Sequence, residues 1–359
     1  MSNYIQELFN IEKPTESCIS FEVNAKVFRD VFEHLQPLFK ATVESPTFKL
    51  EVNGNIATIT ATPSYVFKQQ FPVENVQGGD LNQNYIFSDI CKLLPGRGTL
   101  KVIAASTVLK LTDDKTMSVT LRSSMADLLE VDLDAVDYQT FNLTQLQESI
   151  YATKRLAPIF KAYKKNPPML FKGDVMQMLL PDLYIQSYGA KIDLVLDSTT
   201  ANVLCGVFPD EVPQAQMALR GNEAYIKSYD SYFSCTCSRV MDVVDMDILL
   251  SAHTYITTLN YSTLYARLKS LQQAVGEGDV QFEIYTEHVE VYRLEGNNKV
   301  GCIVGNKKQD SDLLLSFTYK LELITPIVNF IGESIDIYKG GNVICWKKGK
   351  SMIMTSCRL

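Results

Sequence analysis

Apolar residues recur along this chain at two spacings, one typical of amphipathic helices and one typical of strands. A first helical stripe covers residues 27–35 and follows Asn24. The second stripe follows Thr144-x-x-Gln147, which has the pattern of a capping box, and the third follows Asn260. After each stripe come short alternating runs bounded by Gly, Asp and Asn, the pattern of strands and hairpins.

The same order of elements recurs three times. Shorter helices are predicted to begin near Ser88, Ser198 and Thr318. The hairpins that follow them end in arginines 117 and 119 residues apart, namely Arg122, Arg239 and Arg358. This repetition predicts an α+β fold of three tandem copies, each with two helices packed on one face of an antiparallel sheet. The alternative is three unrelated regions that look alike by chance.

The copies divide the chain into three predicted domains, at residues 17–130, 131–248 and 249–359. Residues 1–16 are predicted to form an N-terminal extension. Each domain then has the usual size of a compact domain.

Charge and hydropathy narrow the functional classes. The net charge of −7 argues against an ordinary high-affinity nucleic-acid binder, unless the basic residues gather on one surface. The longest apolar stretches, such as residues 313–315, are far too short to cross a bilayer, and the first residues lack the pattern of a secretory signal. A cytoplasmic protein without a membrane partner is the simplest prediction.

No group of residues has the spacing of a catalytic or metal site. The three histidines are isolated, no Cys-x-x-Cys occurs, and the eight scattered cysteines are typical of buried thiols. Asp242, Asp245 and Asp247 form an acidic cluster that is typical either of a hard-cation site or of a solvated loop. We therefore predict a protein that is not an enzyme and that uses no metal or other cofactor.

Basic residues gather on the polar sides of the predicted helices. On the helix from Thr144 only Glu148 opposes them in sign, and residues 260–275 contain no acid. Such a surface offers phosphates weak contacts without base readout, and Tyr163 has the chemistry to stack on a base or sugar. An ordinary solvated helix face is the alternative. The predicted DNA-binding residues are Lys26, Arg29, Lys40, Lys92, Arg97, Lys154, Arg155, Lys161, Tyr163, Lys164, Lys165, Arg267, Lys269 and Lys320.

Four segments resemble a known family. Phe87-Ser88-Asp89-Ile90-Cys91-Lys92-Leu93-Leu94-Pro95 is similar to a helix of its first domain. Phe141-Asn142-Leu143 and Met169-Leu170-Phe171 are similar to parts of its second domain. The ending Met354-Thr355-Ser356-Cys357-Arg358-Leu359 is similar to the family's Met-Pro-Met-Arg-Leu. In their order and spacing, these segments resemble the bacterial DNA polymerase III β sliding clamp over nearly the whole chain.

The resemblance implies a processivity factor. Two copies would join head to tail into a six-unit ring around duplex DNA, with helices lining the hole and sheets forming the outer wall. DNA polymerase and a clamp loader would be its partners. An acidic outside with modest positive charge inside would explain the net charge, because a topological link would then retain the DNA. A clamp-shaped scaffold that recruits partners without encircling DNA is the main alternative, and a hydrolytic enzyme is a distant third.

The family also has a hydrophobic cleft between its second and third domains that binds partner peptides. Carried over by position, with Thr318 and Leu321 placed on the last helix, the cleft residues are Leu180, Leu183, Val244, Ile248, Leu249, Thr318, Leu321, Val343, Ile344, Ile353, Met354, Thr355, Ser356, Cys357 and Arg358. For each of these residues, ordinary core packing is the alternative. The family's Thr-Asp-Gly-His-Arg-Leu segment corresponds to residues 180–185, so the peptide preference is expected to differ.

The N-terminal extension contains Gln6-Glu7-Leu8-Phe9, which is similar to the short peptides that clamp clefts bind. One hypothesis is that this arm occupies the cleft of its own chain or of another clamp. A frayed terminal helix is the alternative.

Overall fold

The computed structural model describes residues 18–41, 46–61, 65–113, 117–124, 137–208, 213–238, 242–308 and 310–358. The N-terminal segment Gln6-Glu7-Leu8-Phe9 and Arg239 lie outside these ranges. Within them, no helix is both long enough and apolar enough to cross a membrane.

The elements repeat in three copies, as the sequence predicts. The first copy consists of β1 (Ile19–Asn24), α1 (Ala25–Lys40), β2 (Thr47–Asn53), β3 (Ile56–Ala61), β4 (Val66–Pro72), β5 (Glu74–Gln77), β6 (Leu81–Ile86), β7 (Thr99–Ala104), β8 (Val108–Thr112) and β9 (Ser118–Arg122). The second consists of β10 (Gln139–Asn142), α2 (Leu143–Thr153), a 3-10 turn (Lys154–Leu156), α3 (Ala157–Tyr163), β11 (Met169–Lys172), β12 (Val175–Leu180), β13 (Leu183–Tyr188), β14 (Leu194–Leu196), α4 (Ser198–Val207), β15 (Gln214–Arg220), β16 (Glu223–Ser228) and β17 (Ser231–Thr236). The third consists of α5 (Met246–Ser251), β18 (Thr254–Asn260), α6 (Tyr261–Val275), β19 (Asp279–Tyr285), β20 (His288–Glu295), β21 (Asn298–Gly305), β22 (Leu313–Lys320), α7 (Leu321–Ile331), β23 (Ser334–Gly340), β24 (Val343–Lys348) and β25 (Ser351–Ser356).

One predicted helix is absent. The segment after Ser88 makes a single turn, in which the N–H groups of Leu93 and Leu94 donate to the carbonyl of Ile90 at 2.8 and 3.1 Å. Pro95 follows directly, and proline disfavours the helical conformation of the residue before it. The first copy therefore has one helix and a helical turn where the other two copies have a second helix.

Asparagines 118 residues apart begin the long helices. The side-chain oxygens of Asn24, Asn142 and Asn260 accept hydrogen bonds of 2.8–3.1 Å from N–H groups in the first turns of α1, α2 and α6. The predicted capping box of Thr144 and Gln147 is therefore wrong, since Asn142 caps α2 and Gln147 is only 2% exposed.

Two eight-stranded sheets each join two copies. Their strand orders are β10-β15-β16-β17-β4-β3-β2-β6 and β14-β11-β12-β13-β25-β24-β23-β18. In each sheet, the last hairpin strand of one copy pairs with the third strand after the first helix of another copy. Thus β17 pairs with β4 at residues 231–234, and β25 pairs with β13 at residues 352–355.

The other two sheets are smaller, and among the strands that the structure describes each of these sheets ends in two edge strands. Their orders are β5-β1-β7-β8-β9 and β21-β20-β19-β22. The last hairpin strand of the first copy, β9, is an edge of the first sheet, and the third strand of the last copy, β21, is an edge of the second. These are the two strand types that join copies in the larger sheets.

The repeated hairpin endings have a common structural role. Just beyond the hairpins, isolated β-bridges join Ser123 to Tyr85, Ser238 to Val195 and Arg358 to Thr318. In each copy, the chain leaving the hairpin thus crosses to the strand that precedes the second helix or the helical turn. In the first and third copies, this crossing ties the two sheets of the copy together.

The chain divides into two compact bodies. One contains Met1–Thr140 with Asn202–Thr236, and the other contains Phe141–Ala201 with Cys237–Leu359. The second copy is shared, because its hairpin belongs to the sheet of the first copy and its β11–β13 strands belong to the sheet of the third. The predicted domain borders stay predictions; the first falls outside the described residues and the second falls within α5.

Candidate functional site

The second copy contributes a broken helix to the second body. α2 ends at Thr153, a 3-10 turn follows, and α3 begins at Ala157. The interruption lies directly before Pro158, which cannot donate a backbone hydrogen bond inside a helix and whose ring would clash with the preceding turn. The left-handed conformation of Lys164, with φ of 52°, then ends α3. Lys154 and Arg155 lie before α3, Lys164 and Lys165 lie after it, and all four are exposed.

The predicted basic residues are exposed, apart from the half-buried Arg29. Arg29 donates to Glu33 at 2.7 Å, whereas none of the other predicted cations lies within 4.0 Å of a carboxylate in the described part of the chain. Lysines elsewhere are often paired, as Lys172 is with Asp193 at 2.7 Å. Within the described residues, the cations of α3 and α6 therefore form no ion pairs, whereas Arg29 of α1 forms one.

Tyrosines accompany these cations. The Nζ atom of Lys154 lies 4.2 Å from the ring centre of Tyr151, and that of Lys269 lies 4.9 Å from the ring centre of Tyr265. Tyr163 is half-buried, and burial raises the pKa of its phenol, which therefore stays neutral. This arrangement can contact anionic and planar groups together.

A groove with a volume of about 780 Å³ lies between α3, α6 and α7. Four of the predicted DNA-binding residues line it, namely Arg155, Lys161, Lys164 and Lys269. Glu277 and Glu322 also line it. Arg267 lies on another flank of α6, facing Cys302 of β21. Burial raises the pKa of the Cys302 thiol to about 11, and the positive charge of Arg267 opposes this rise.

The predicted cleft residues lie on and around the sheet that contains β13, β24 and β25. One face of this sheet is a core face, because Trp346 contacts Phe317 with ring centres 6.3 Å apart and Thr355 is hydrogen-bonded to Tyr319 at 2.5 Å. Six predicted cleft residues are at most 6% exposed and belong to this core, namely Leu180, Leu183, Leu321, Ile344, Ile353 and Thr355. They lie on the core side of the sheet, so they cannot line a cleft on its opposite face, and their assignment to the cleft is corrected.

Thr318 also lies elsewhere than predicted. It belongs to β22 and not to the last helix, which begins at Leu321. Its N–H donates to the carbonyl of Arg358 at 2.6 Å. Antiparallel pairing with β19, which runs as far as Lys320, keeps this segment extended.

The opposite face of the sheet carries an apolar surface. Met246 of α5 packs there with Cys345, Met352 and Met354, and the partly buried Val244 and Val343 extend this cluster. Next to it, Ile248 is 67% exposed, and Leu249 and Tyr184 are each 39% exposed. Ser356 and Cys357 are half-buried beyond the end of this cluster, and Arg358 is exposed. Exposed apolar groups around a buried cluster are typical of a docking surface for a partner segment.

The acidic cluster before α5 has a structural role. Asp245 caps α5 by accepting hydrogen bonds from the N–H groups of Asp247 and Ile248 at 3.1 and 3.0 Å. Asp247 lies 3.6 Å from the ammonium group of Lys347. Among the described residues, no group of three or more potential ligands is placed to hold a metal ion.

Solved structures with the same architecture identify the fold. The β clamp of Helicobacter pylori, in complex with 3,4-difluorobenzamide, aligns with a TM-score of 0.72 and 14% identity, covering 95% of this chain and 100% of that one. The DNA polymerase III β subunit of Thermotoga maritima aligns with a TM-score of 0.73 and 13% identity over the same shares of the two chains. The chain has the β sliding-clamp fold.

A further H. pylori β clamp, bound to a DNA ligase peptide, aligns with a TM-score of 0.70 and 12% identity, again covering 95% of this chain and 100% of that one. No protein-family model matches the chain, and no curated protein matches it. The clamp fold is thus retained although little of the sequence is shared.

In this clamp fold, one buried side chain holds the segment before α5 on the sheet. The amide of Gln177 donates to the carbonyl of Val244 at 2.5 Å and accepts from its N–H at 3.0 Å. It also donates to Gln186 at 2.9 Å. Gln177 is 1% exposed, so its hydrogen bonds are shielded from water.

Two site residues were missed from the sequence. Gln177 resembles an ordinary strand residue, and only the register of β12 reveals its role. Tyr184 pairs with Met354 across β13 and β25, which places it on the apolar face. Its alternation with the buried Leu183 and Ile185 was the available signal.

Proposed function

We propose that the protein is a DNA sliding clamp of the bacterial β type, a divergent member of that family. Two copies close head to tail into a ring around duplex DNA, and the apolar surface near α5 tethers DNA polymerase. A clamp loader opens the ring onto DNA. The protein acts without catalysis, in the cytoplasm, as a processivity factor.

The free edges of the two smaller sheets carry this proposal. Inside the chain, a last hairpin strand pairs twice with the third strand of another copy. β9 and β21 are the remaining strands of these two types, and both are sheet edges. Pairing β9 of one chain with β21 of a second chain repeats the internal joint, and a second such joint closes a six-copy ring. Closure also covers edges that would otherwise invite aggregation.

The unpaired cations of α3 and α6 support a hole that is lined by these helices and holds DNA. Exposed Lys and Arg side chains contact phosphates without reading sequence, which is what a sliding protein requires. The net charge of −7 agrees with retention by topology, because strong affinity would oppose sliding. One observation favours the scaffold alternative: α1 has Asp30 and Glu33 beside its basic residues, and Glu33 neutralises Arg29.

The apolar surface supports peptide tethering. Ile248 and Leu249 are exposed from a short capped helix beside the buried cluster around Met354. The similar H. pylori clamp binds a DNA ligase peptide, and we extend that mode of binding to this chain. The predicted cleft is accordingly narrowed to Val244, Ile248, Leu249, Val343 and Met354, with the chain end at Ser356, Cys357 and Arg358.

Retention on circular DNA tests the proposal. Protein loaded onto nicked circular duplex should elute with the DNA in gel filtration at moderate salt, and linearising the DNA should release it. The combined substitution of Lys154, Arg155, Lys161, Lys164 and Lys165 by glutamine should shorten retention and leave binding of a polymerase peptide unchanged. Equal retention on circular and linear DNA would contradict encirclement. Peptide binding without any retention would favour the scaffold.

A further inference from the structure

The groove between α3, α6 and α7 is built from three helical stripes. Tyr265, Lys269 and Gln272 follow one another at spacings of four and three residues on α6, so they lie on one helix face. Thr325, Pro326 and Asn329 of α7 line the groove in the same way, and Thr325 and Pro326 are buried. The third wall comes from α3. The groove is therefore a concave site within one chain.

The composition of the groove is amphipathic. Ala157, Pro158 and Ala162 of α3 and Pro326 of α7 give it apolar walls. The four cations Arg155, Lys161, Lys164 and Lys269 stand beside these walls, and none of them is ion-paired within the described residues. A matching ligand must combine a flat apolar part with negative charge.

We propose that this groove binds an unpaired nucleotide of single-stranded DNA, with the base against the proline and alanine walls and the phosphate beside the lysines. The inference rests on the proposed function, and it names a ligand that the encircling role does not require. Duplex DNA presents its phosphates outward and stacks its bases inside, so it cannot use the apolar walls. An unpaired nucleotide exposes both groups, and aromatic side chains beside basic residues, here Tyr265 beside Lys269, are typical of single-strand binding.

The volume agrees with this ligand. A space of about 780 Å³ falls within the range of small-molecule sites, which is ample for a nucleotide. Glu277 and Glu322 also line the groove, and they would repel a phosphate near them. We therefore expect the strand to enter on the side of α3, where Lys161 and Lys164 lie.

The direct test is fluorescence anisotropy with a short labelled oligo-dT and with a blunt duplex of equal length. The full chain should bind the single strand about tenfold more tightly than the duplex, the effect of gaining about one stacked base. Ala162→Leu narrows the groove without changing charge and should weaken oligo-dT binding about tenfold. The matched control is Ala266→Leu, an exposed alanine of α6 outside the groove, which should change nothing.

Charge variants complete the test. Lys269→Gln should weaken oligo-dT binding more than Lys154→Gln, because only Lys269 lines the groove although both residues are exposed. Equal affinities for single strand and duplex would overturn the inference. Equal effects of the two alanine substitutions would do the same, as would displacement of oligo-dT by poly-glutamate at matched charge.

Retention on circular duplex separates this inference from the proposed function. Ala162→Leu should leave retention unchanged, since encirclement does not use the apolar walls. A chain that is retained on circles but does not prefer oligo-dT would refute only the nucleotide site. Selective oligo-dT binding without retention would refute only the ring.

Discussion

Replacing Gln177 by leucine tests whether its buried amide holds the segment before α5. Leucine keeps most of the side-chain volume and removes every hydrogen-bonding atom. The Val244 backbone then loses both of its bonds to Gln177, and Gln186 loses a buried donor. The segment that displays Ile248 and Leu249 would therefore detach more readily from the sheet.

The size of the effect follows from these contacts. Three hydrogen bonds at about 1 kcal/mol each give a loss of about 3 kcal/mol. The buried leucine methyl groups recover about 1 kcal/mol. We expect the free energy of unfolding of the second body to fall by about 2 kcal/mol. Peptide affinity at the apolar surface should fall as well, because ordering the segment then opposes binding.

Urea unfolding followed by tryptophan fluorescence measures this loss. Trp346 is the only tryptophan, is fully buried and belongs to the second body, so its signal reports on that body. The matched control is Gln273→Leu, an exposed position of α6, where a change below about 0.5 kcal/mol is expected. A loss of unfolding free energy for Gln177→Leu as small as that of the control would refute a stabilising role for the Gln177 hydrogen bonds.

Three further predictions concern assembly, pH and thiol chemistry. Ile303→Lys, on the edge strand β21, should convert the dimer to a monomer in analytical ultracentrifugation. Ile56→Lys, on the internal strand β3, is the control and should leave the dimer intact. The two isoleucines have similar exposures, 40% and 51%. Lys350 lowers the pKa of Asp174 below its ordinary value of 3.8, so the ion pair stabilises the fold above that pH and stabilises it less as the pH falls through the lowered pKa. The difference in urea midpoint between the wild type and Asp174→Asn should therefore shrink on acidification below about pH 4. A difference that stays constant would exclude this linkage. Burial raises the pKa of Cys345 to about 12, so iodoacetamide should label it at pH 8 only after unfolding, and rapid labelling of the native chain, read by mass spectrometry, would contradict the packing.

The threefold repeat was predictable from the sequence because its signals are local. Helical stripes, asparagine caps and hairpin endings recur at nearly constant intervals, and the structure confirms three copies. The cap of α2 was misassigned because Thr144-x-x-Gln147 matches a stronger local pattern than Asn142 alone. The interval of 118 residues from Asn24 to Asn142 and from Asn142 to Asn260 was the deciding signal.

The cleft residues were harder to predict because both faces of the last strand are buried, so the sequence does not show which side chains face the core. Residues 352–355 of β25 are all at most 2% exposed, since the four-stranded sheet and α7 cover one face and the segment before α5 covers the other. Alternation separates Met352 and Met354 from Ile353 and Thr355, but it does not tell which pair faces the core. Only a tertiary contact supplies that information, here the hydrogen bond between the hydroxyl groups of Tyr319 and Thr355.

Ring closure is the central claim, and the solution mass tests it most directly. Light scattering across a concentration series should give a stable species of twice 40.4 kDa, because pairing of β9 with β21 occurs twice in a closed ring. A persistent species of 40.4 kDa at every concentration would contradict the ring and leave the partner scaffold as the better account.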